Sequence, residues 1–270
     1  MSNSSSAQHD NIRTYRDYYS KFAEDYEKRR RREARIIAET MAEWIHLDRL
    51  RILDFGVGTG SVWEHLYRKG VGWIHVVGLD IASGMIKIAK EKRIPWLQVL
   101  EMQVEDVDHA DCFDVVCAHG LIKHCTEPAN VIEKAHRVLT SGGYLFVEDL
   151  SNEDDAVKIA RTLTAQVHNY LGTSRRSSSG LDDKVLLRII QDAGFREQRQ
   201  KRSAYSLHFE SFKRIRDYFV QKMIFGQYTY NRIPRNNRKE FDEIFLQTLR
   251  EILHKPIMRR RTFISLFTKA

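Results

Sequence analysis

The chain has 270 residues, 42% of them hydrophobic, with 44 Lys and Arg against 36 Asp and Glu for a formal net charge of +8. That apolar fraction excludes a disordered tail or a fibrous repeat, and the length allows one large domain or two small ones. Three cysteines (Cys112, Cys117, Cys125) are too few for a disulfide framework, lack paired zinc-ligand spacing, and read as reduced thiols, so no metal is expected.

Residues 1–11 are Ser/Asn-rich and are expected to be disordered. They lack the apolar centre of a signal peptide, and no run approaches the ~20 apolar residues of a membrane span. A cytoplasmic protein without a membrane span is the expectation. From Ile12 to Leu50 the pattern is helical, and Tyr15, Tyr18, Tyr19, Phe22 and Tyr26 recur on one face. That face either packs on the rest of the chain or closes over a ligand. Between Arg13 and Arg35 there are nine basic and five acidic residues, half of the excess charge, and the run Lys28–Arg32 reads as a solvated helix face.

Strand signals follow at 52–55, 73–79, 96–102, 113–118 and 144–148. Helical stretches separate them at 61–68, 83–92 and 127–139, the last stopped by Ser141-Gly142-Gly143. This alternation predicts an α/β fold with a Rossmann-like, doubly wound, mostly parallel sheet. Beyond it come a helix over 153–171, a breaker-rich loop over 172–180, a helix over 181–193 and a strand over 204–209. Two more helices (212–223, 238–253) precede a last strand at 262–268, the seventh. The organisation read from this is an N-terminal helical cap or lid (1–50), a core (51–209), a helical substrate lid (210–261) and a final core strand (262–270).

The chemistry is densest at LDFGVGTG, Leu53–Gly60. A buried strand ends in Asp54, and Gly56, Gly58 and Gly60 clear the backbone for a ligand at a helix N-terminus. Ser61 stands where the dinucleotide fingerprint has Gly or Ala, which disfavours a nicotinamide dehydrogenase. A carboxylate at Asp54 suits the cationic amino-acid end of a ligand better than a pyrophosphate. Asp80, closing the second strand, can accept both hydroxyls of a ribose, or else caps the helix after it.

These segments, with YYSKFAEDYE, GLDIASGMIKIAK, FDVVCAHGLIKHCTEP and EKAHRVLTSGGYLFVED in order, resemble class I S-adenosylmethionine-dependent methyltransferases over roughly 18–194. The resemblance implies S-adenosylmethionine as cofactor and S-adenosylhomocysteine as product. It puts the amino-acid end on Asp54 and the backbone of Gly56, Gly58 and Gly60, and the ribose on Asp80, with Ile81 against the adenine. Gln103 and Val104 stand where the family often has Asp-Ala, so Gln103 would meet the adenine amine through its amide oxygen. Ala118 and His119 would line the methionine arm, and Tyr18, Tyr19 or Tyr26 would close over the cofactor.

Methyl transfer mainly requires alignment, and a base helps only where the acceptor starts protonated. His124, in the loop after the fourth strand, is the candidate base, or else a packing residue. Phe22, Tyr26, Tyr205, Tyr228 and Tyr230 are candidate walls of the acceptor pocket. The layout resembles malonyl-carrier-protein O-methyltransferases and quinone-biosynthesis C-methyltransferases, and plantazolicin-type peptide N-methyltransferases are compatible in size. The expected acceptor is a small-molecule or modified-peptide natural product, with nitrogen slightly ahead. The alternatives are a carboxylate on an acidic carrier protein and a quinone carbon. An RNA methyltransferase is a distant alternative, since CAHGL stands where an amino-methylating motif would be.

Overall fold

The computed structural model describes residues 2–172 and 181–270, with residues 2–11 and Gln227 described by their backbone only. Most of the loop expected at 172–180 lies outside the described residues. Seven strands form one sheet: β1 (Arg51–Phe55), β2 (His75–Asp80), β3 (Leu97–Glu101), β4 (Phe113–His119), β5 (Leu139–Leu150), β6 (Phe195–His208) and β7 (Ile257–Lys269). Their order is β3-β2-β1-β4-β5-β7-β6, and the β1/β2, β1/β4, β2/β3 and β4/β5 pairs are parallel. From β1 the chain winds outward through β2 and β3, then crosses to β4. That reversal beside β1 is where open α/β sheets bind ligands, at the carboxyl ends of the strands.

Four helices precede or separate the first strands: α1 (Ser2–Lys21), α2 (Ala23–Trp44), α3 (Ser61–Arg68) and α4 (Ser83–Glu91). They are followed by α5 (Pro128–Val138), α6 (Asp155–Tyr170), α7 (Asp183–Asp192), α8 (Phe212–Lys222), α9 (Ile224–Tyr228) and α10 (Arg238–Leu253). Strand β1 is apolar on both faces because helices cover both, and Ile52, Leu53 and Phe55 are all buried. The core around it joins Trp63 and Leu66 of α3, Ile37 and Met41 of α2, Val115 of β4 and Phe146 of β5. Each such side chain contributes about 1.5–3 kcal/mol on burial.

The start of the chain corrects the first expectation. The backbone is helical from Ser2, because a formed helix extends at the cost of one residue per added hydrogen bond. The single helix expected over 12–50 is two, divided at Phe22 (φ −109°, ψ 20°). The bonds Phe22 N–H to Tyr18 and Tyr26 N–H to Phe22 persist, so the break is a kink. The glycines expected to stop a helix at 141–143 lie inside β5. Gly142 (φ 73°) and its neighbours form an irregularity there, with Phe113 opposite Leu139 but Val115 opposite Tyr144.

Strand β6 starts at Phe195, nine residues before the expected position. It is the last strand of the order, and its stretch Arg196–Arg202 is exposed and mostly charged or amide. Such residues shield a sheet edge from other chains and hide the apolar alternation of a strand.

The described residues fall into two compact units. One comprises Met1–Asp149, Lys184–Lys201 and Ile264–Ala270; the other comprises Leu150–Asp183 and Arg202–Phe263. The second has its own core, in which Ile159, Leu163 and Val167 of α6 meet Phe219, Phe241 and Phe245 of α8 and α10. The second unit thus takes in α6, whose apolar face packs on the inserted helices, and resumes at Arg202 where 210 was expected, while Lys184–Lys201 belongs to the first. Asp154 caps α6 through Ala156 N–H and Val157 N–H and accepts from buried Arg260 at 2.8 Å. Among the described residues no helix is long and apolar enough to cross a membrane.

Candidate functional site

A cleft of about 1040 Å³ opens in the first unit at the carboxyl ends of β1, β2 and β4. Its floor is the turn after β1, where Gly56 (φ 74°) and Gly58 (φ 56°) hold left-handed backbone that a side chain would strain. Asp80, ending β2, locks that turn. Its Oδ2 accepts from Gly58 N–H and its Oδ1 from Ala82 N–H, both at 2.9 Å. Each oxygen keeps a further lone pair for a ligand hydroxyl. Burial raises the Asp80 carboxyl above its ordinary value, against the pull of those backbone donors.

Beside Asp80 the wall continues through Ile81, Met85, Met102, Gln103 and Val104. These are apolar or amide groups. Part of the wall is aromatic. Tyr15 and Tyr19 of α1 and Tyr26 of α2 line it together with His124, which sits on a short 3-10 turn, Ile122–His124. The Tyr15 ring lies 5.2 Å from His124, and Tyr19 lies 5.5 Å from Tyr26 edge-on. Burial, with Arg30 and Lys123 adding to it, pushes His124 down to about 4, so its imidazole is neutral near pH 7. Burial also raises the hydroxyls of Tyr19 and Tyr26. Among the described walls there is no Lys or Arg, and the carboxylates are Asp80 and Glu105.

A smaller cleft of about 390 Å³ shares Tyr26, Gly56, Gly58 and His119 with the first and adds Arg30, Thr59 and Ser61. Arg30 is only 16% exposed, donates to Glu148 at 3.1 Å and stacks 5.9 Å from the Tyr26 ring. The basic run 28–32 is thus not wholly a solvated face. The spacing of Tyr26 and Arg30, four residues apart on a helix, was the signal that both share one side. Next to them Glu27 ties α2 to the glycine turn. Its carboxylate accepts from Ser61 at 2.5 Å and from Lys92 at 2.8 Å, and Lys92 also reaches Glu64 at 2.6 Å. Burial works against the Glu27 carboxylate, but these bonds outweigh it and hold the group below its ordinary value.

The structure brings Gly56, Gly58, Asp80, Ile81, Gln103, Val104, His119, Tyr19, Tyr26 and His124 to the cleft walls. It does not bring eight other sequence candidates there. Asp54 is 1% exposed, with Oδ2 accepting from the Trp63 indole at 2.6 Å, and burial pushes it up to about 8. Gly60 begins α3, where an added Cβ would lie 3.4 Å from Ala89, so it serves packing. Ala118 is buried within β4, facing away from His119 as alternate strand residues do. Tyr18 is buried behind Tyr19, and Phe22 packs on Tyr18 at the kink. Tyr205 and Tyr228 belong to the other unit and are absent from the walls; so is Tyr230, which donates to Asp242 at 2.6 Å. Sequence reasoning missed Ile12, Arg30 and Met102, and named Tyr15 only as part of the aromatic face. Among the described residues no group of His, Cys, Asp and Glu could hold a metal ion.

Several buried atoms beside the clefts lack a hydrogen-bond partner: Asp54 Oδ1, both ring nitrogens of His119 and Glu148 Oε1. Acceptors next to a cradling turn and a ribose-type carboxylate fit a nucleoside that carries a cationic amino-acid arm.

Residues 53–147 match a family described as "Methyltransferase domain". The chain is 29% identical over 116 residues to the ubiquinone biosynthesis O-methyltransferase of Paracidovorax citrulli, covering 41% of this chain and 48% of that one. With the mitochondrial enzyme of the same name from Rattus norvegicus it is 34% identical over 110 residues, 37% of this chain and 31% of the other. It thus spans about half or less of the length of these two curated relatives. Similar solved structures include the YcgJ protein from Bacillus subtilis (TM-score 0.60, 14% identity, 86% of this chain and 97% of that one). Another is a SAM-dependent methyltransferase from Aquifex aeolicus (TM-score 0.52, 18% identity, 67% and 90%). At such identities the likeness concerns the fold. Over residues 53–147 the chain is similar to that methyltransferase domain family, and with these solved structures it shares the fold.

Proposed function

We propose that the protein transfers a methyl group from S-adenosylmethionine to a hydroxyl of a small, flat, uncharged acceptor. The observation that carries this is a neutral His124 in an aromatic cleft that also holds Asp80 and the glycine turn and has no Lys or Arg among its described walls. S-adenosylmethionine, when bound, supplies an electrophilic methyl on a cationic sulfur.

Asp80 holds the ribose hydroxyls, Ile81 and Val104 pack on the adenine, and Gln103 offers its amide to the exocyclic amine. Gly56 and Gly58 leave room for the arm, and Arg30 is the guanidinium that meets its carboxylate. Tyr15 and Tyr19 hold the acceptor ring against the cleft and exclude water. Alignment of this kind can supply ~7–11 kcal/mol of the barrier. His124 receives the proton that the hydroxyl gives up. A carboxylate acceptor, free or on a carrier, fits poorly, because Asp80 and Glu105 would repel it and no basic wall residue would pair with it.

The names of the curated relatives support oxygen as the acceptor atom. Nitrogen is the second reading, favoured by the tyrosine faces, which suit a cationic amine. Methyl-labelled cofactor offered to a panel of phenols, catechols and primary amines separates them. Label on phenols or catechols that falls about 100-fold in His124→Phe supports the proposal. Label on amines alone overturns it.

A further inference from the structure

Glu148 and His119 face each other in register at the carboxyl ends of β5 and β4. Glu148 is 1% exposed. Its Oε2 accepts from Arg30 at 3.1 Å, while its Oε1 has no hydrogen-bond partner, and neither do the two ring nitrogens of His119. Both residues adjoin the ligand clefts. His119 walls both of them, and Gly120 N–H, in the wall of the larger, donates to the Glu148 carbonyl at 2.8 Å. A buried carboxylate oxygen without a donor is costly unless a cation or a proton comes to it.

We propose that Glu148 makes the site select the cationic sulfonium cofactor over its neutral thioether product, with Arg30 positioning the carboxylate. The proposal rests on the S-adenosylmethionine reading above. The two ligands share their amino-acid end, ribose and adenine, and they differ by one methyl and one positive charge. Contacts to the shared parts cancel when the two affinities are compared. A fixed negative charge beside the sulfur arm does not cancel. In a partly buried site, attraction between unit charges is worth about tenfold or more in affinity. On transfer the acceptor oxygen takes the methyl, the C–S electron pair stays on sulfur, and the hydroxyl proton passes to His124. The charge that Glu148 attracts is then gone from the sulfur, and the product loosens.

The groups facing Glu148 are Tyr26, Arg30 and Glu33 from α2, His119 from β4 and Asp149 beside it in β5. Burial pushes Glu148 up to about 7 against the pull of Arg30, with Asp149 and Glu33 adding to the rise. The carboxylate is therefore ionised above that value and protonated below it. Preference for the sulfonium is present above about pH 7 and fades as pH falls through it.

Titration calorimetry of the full chain with S-adenosylmethionine and with S-adenosylhomocysteine, from pH 6 to 8.5, tests this. The ratio of the product Kd to the cofactor Kd is expected to be about tenfold larger at pH 8 than at pH 6. In Glu148→Gln it should be low and flat with pH, whereas Asp80→Asn, acting on the shared ribose, should keep the pH dependence. A wild-type ratio that does not change with pH overturns the proposal, whether or not the variant folds. So does a folded Glu148→Gln with the wild-type profile. If neither ligand binds, the cofactor reading itself fails.

Discussion

Asp80 is fixed by two backbone donors before any ligand arrives, so its free lone pairs are already aimed. Removing the carboxylate costs charge-assisted bonds and also loosens the glycine turn. Asp80→Ala should raise the cofactor Kd by about 10–100-fold, measurable by calorimetry. His124 makes a different prediction. With its pKa near 4, the imidazole is already neutral at pH 5, so activity against pH should show no inflection at the ordinary histidine value. His124→Phe should lower kcat about 100-fold while the cofactor Kd stays within twofold, because the phenyl ring keeps the packing against Tyr15. An inflection near ~6.5 that vanishes in the variant would show that the buried site is wetter than its geometry implies.

Asp80, Gly56 and Gly58 were legible in the sequence because strand-end and turn positions have one geometry. Ala118 was not, since adjacent strand residues face opposite sides and His119 takes the ligand side. Arg30 was hidden in a run of five basic residues, where composition suggests solvent and only helical phase separates one buried member from its neighbours.

At the scale of elements, the aromatic wall depends on how α1 docks. Gly84, in α4, allows this. A Cβ there would lie 2.1 Å from the Ser20 carbonyl oxygen of α1, so the two backbones pass in contact. Gly84→Ala improves the helix propensity of α4 yet must push α1 away. The expected result is faster proteolysis within α1 and a loss of activity, with cooperative unfolding of the rest retained. Protection and activity equal to wild type would show that α1 is not needed in its place. Helix α2 is held separately by Glu27 on Lys92 and Ser61 and by Arg30 on Glu148, so the kink at Phe22 marks where the two helices can part. That kink left no trace in the sequence, because the aromatic spacing runs through Phe22 unbroken. The apolar central strands, in contrast, were readable almost to the residue. The edge strand β6 and the glycine irregularity in β5 were not, since an edge strand is selected for charge and a bulge borrows turn residues.

For the molecule as a whole, buried titratable groups set the pH dependence of stability. Asp54 at about 8 and Glu148 at about 7 keep protons in the folded protein where ordinary carboxylates of the unfolded chain have lost them. Folding then takes up protons, and stability falls as pH rises through that window. His119 at about 3 and His124 at about 4 act in the opposite sense. Their contribution is complete above the unfolded histidine value near ~6.5 and is lost as pH falls. The two effects oppose each other below about 6.5, and only the carboxylates remain above it. The ligand-free protein should therefore show a falling Tm between pH 6.5 and 8, reversed by saturating cofactor. A Tm that is flat or rising there would place the two carboxylates in water.

The net charge of +8 changes meaning at this scale. An excess of this sign favours an anionic partner, but the larger cleft has no Lys or Arg among its described walls, and Arg30, in the wall of the smaller one, donates to Glu148. In the proposed function this cleft binds S-adenosylmethionine through Asp80. Calorimetric titration of wild type and Asp80→Ala with that cofactor tests it most directly. One site per chain in the wild type, weakened at least tenfold in a folded variant, is the predicted result; no binding, or equal affinity in both proteins, would contradict the account.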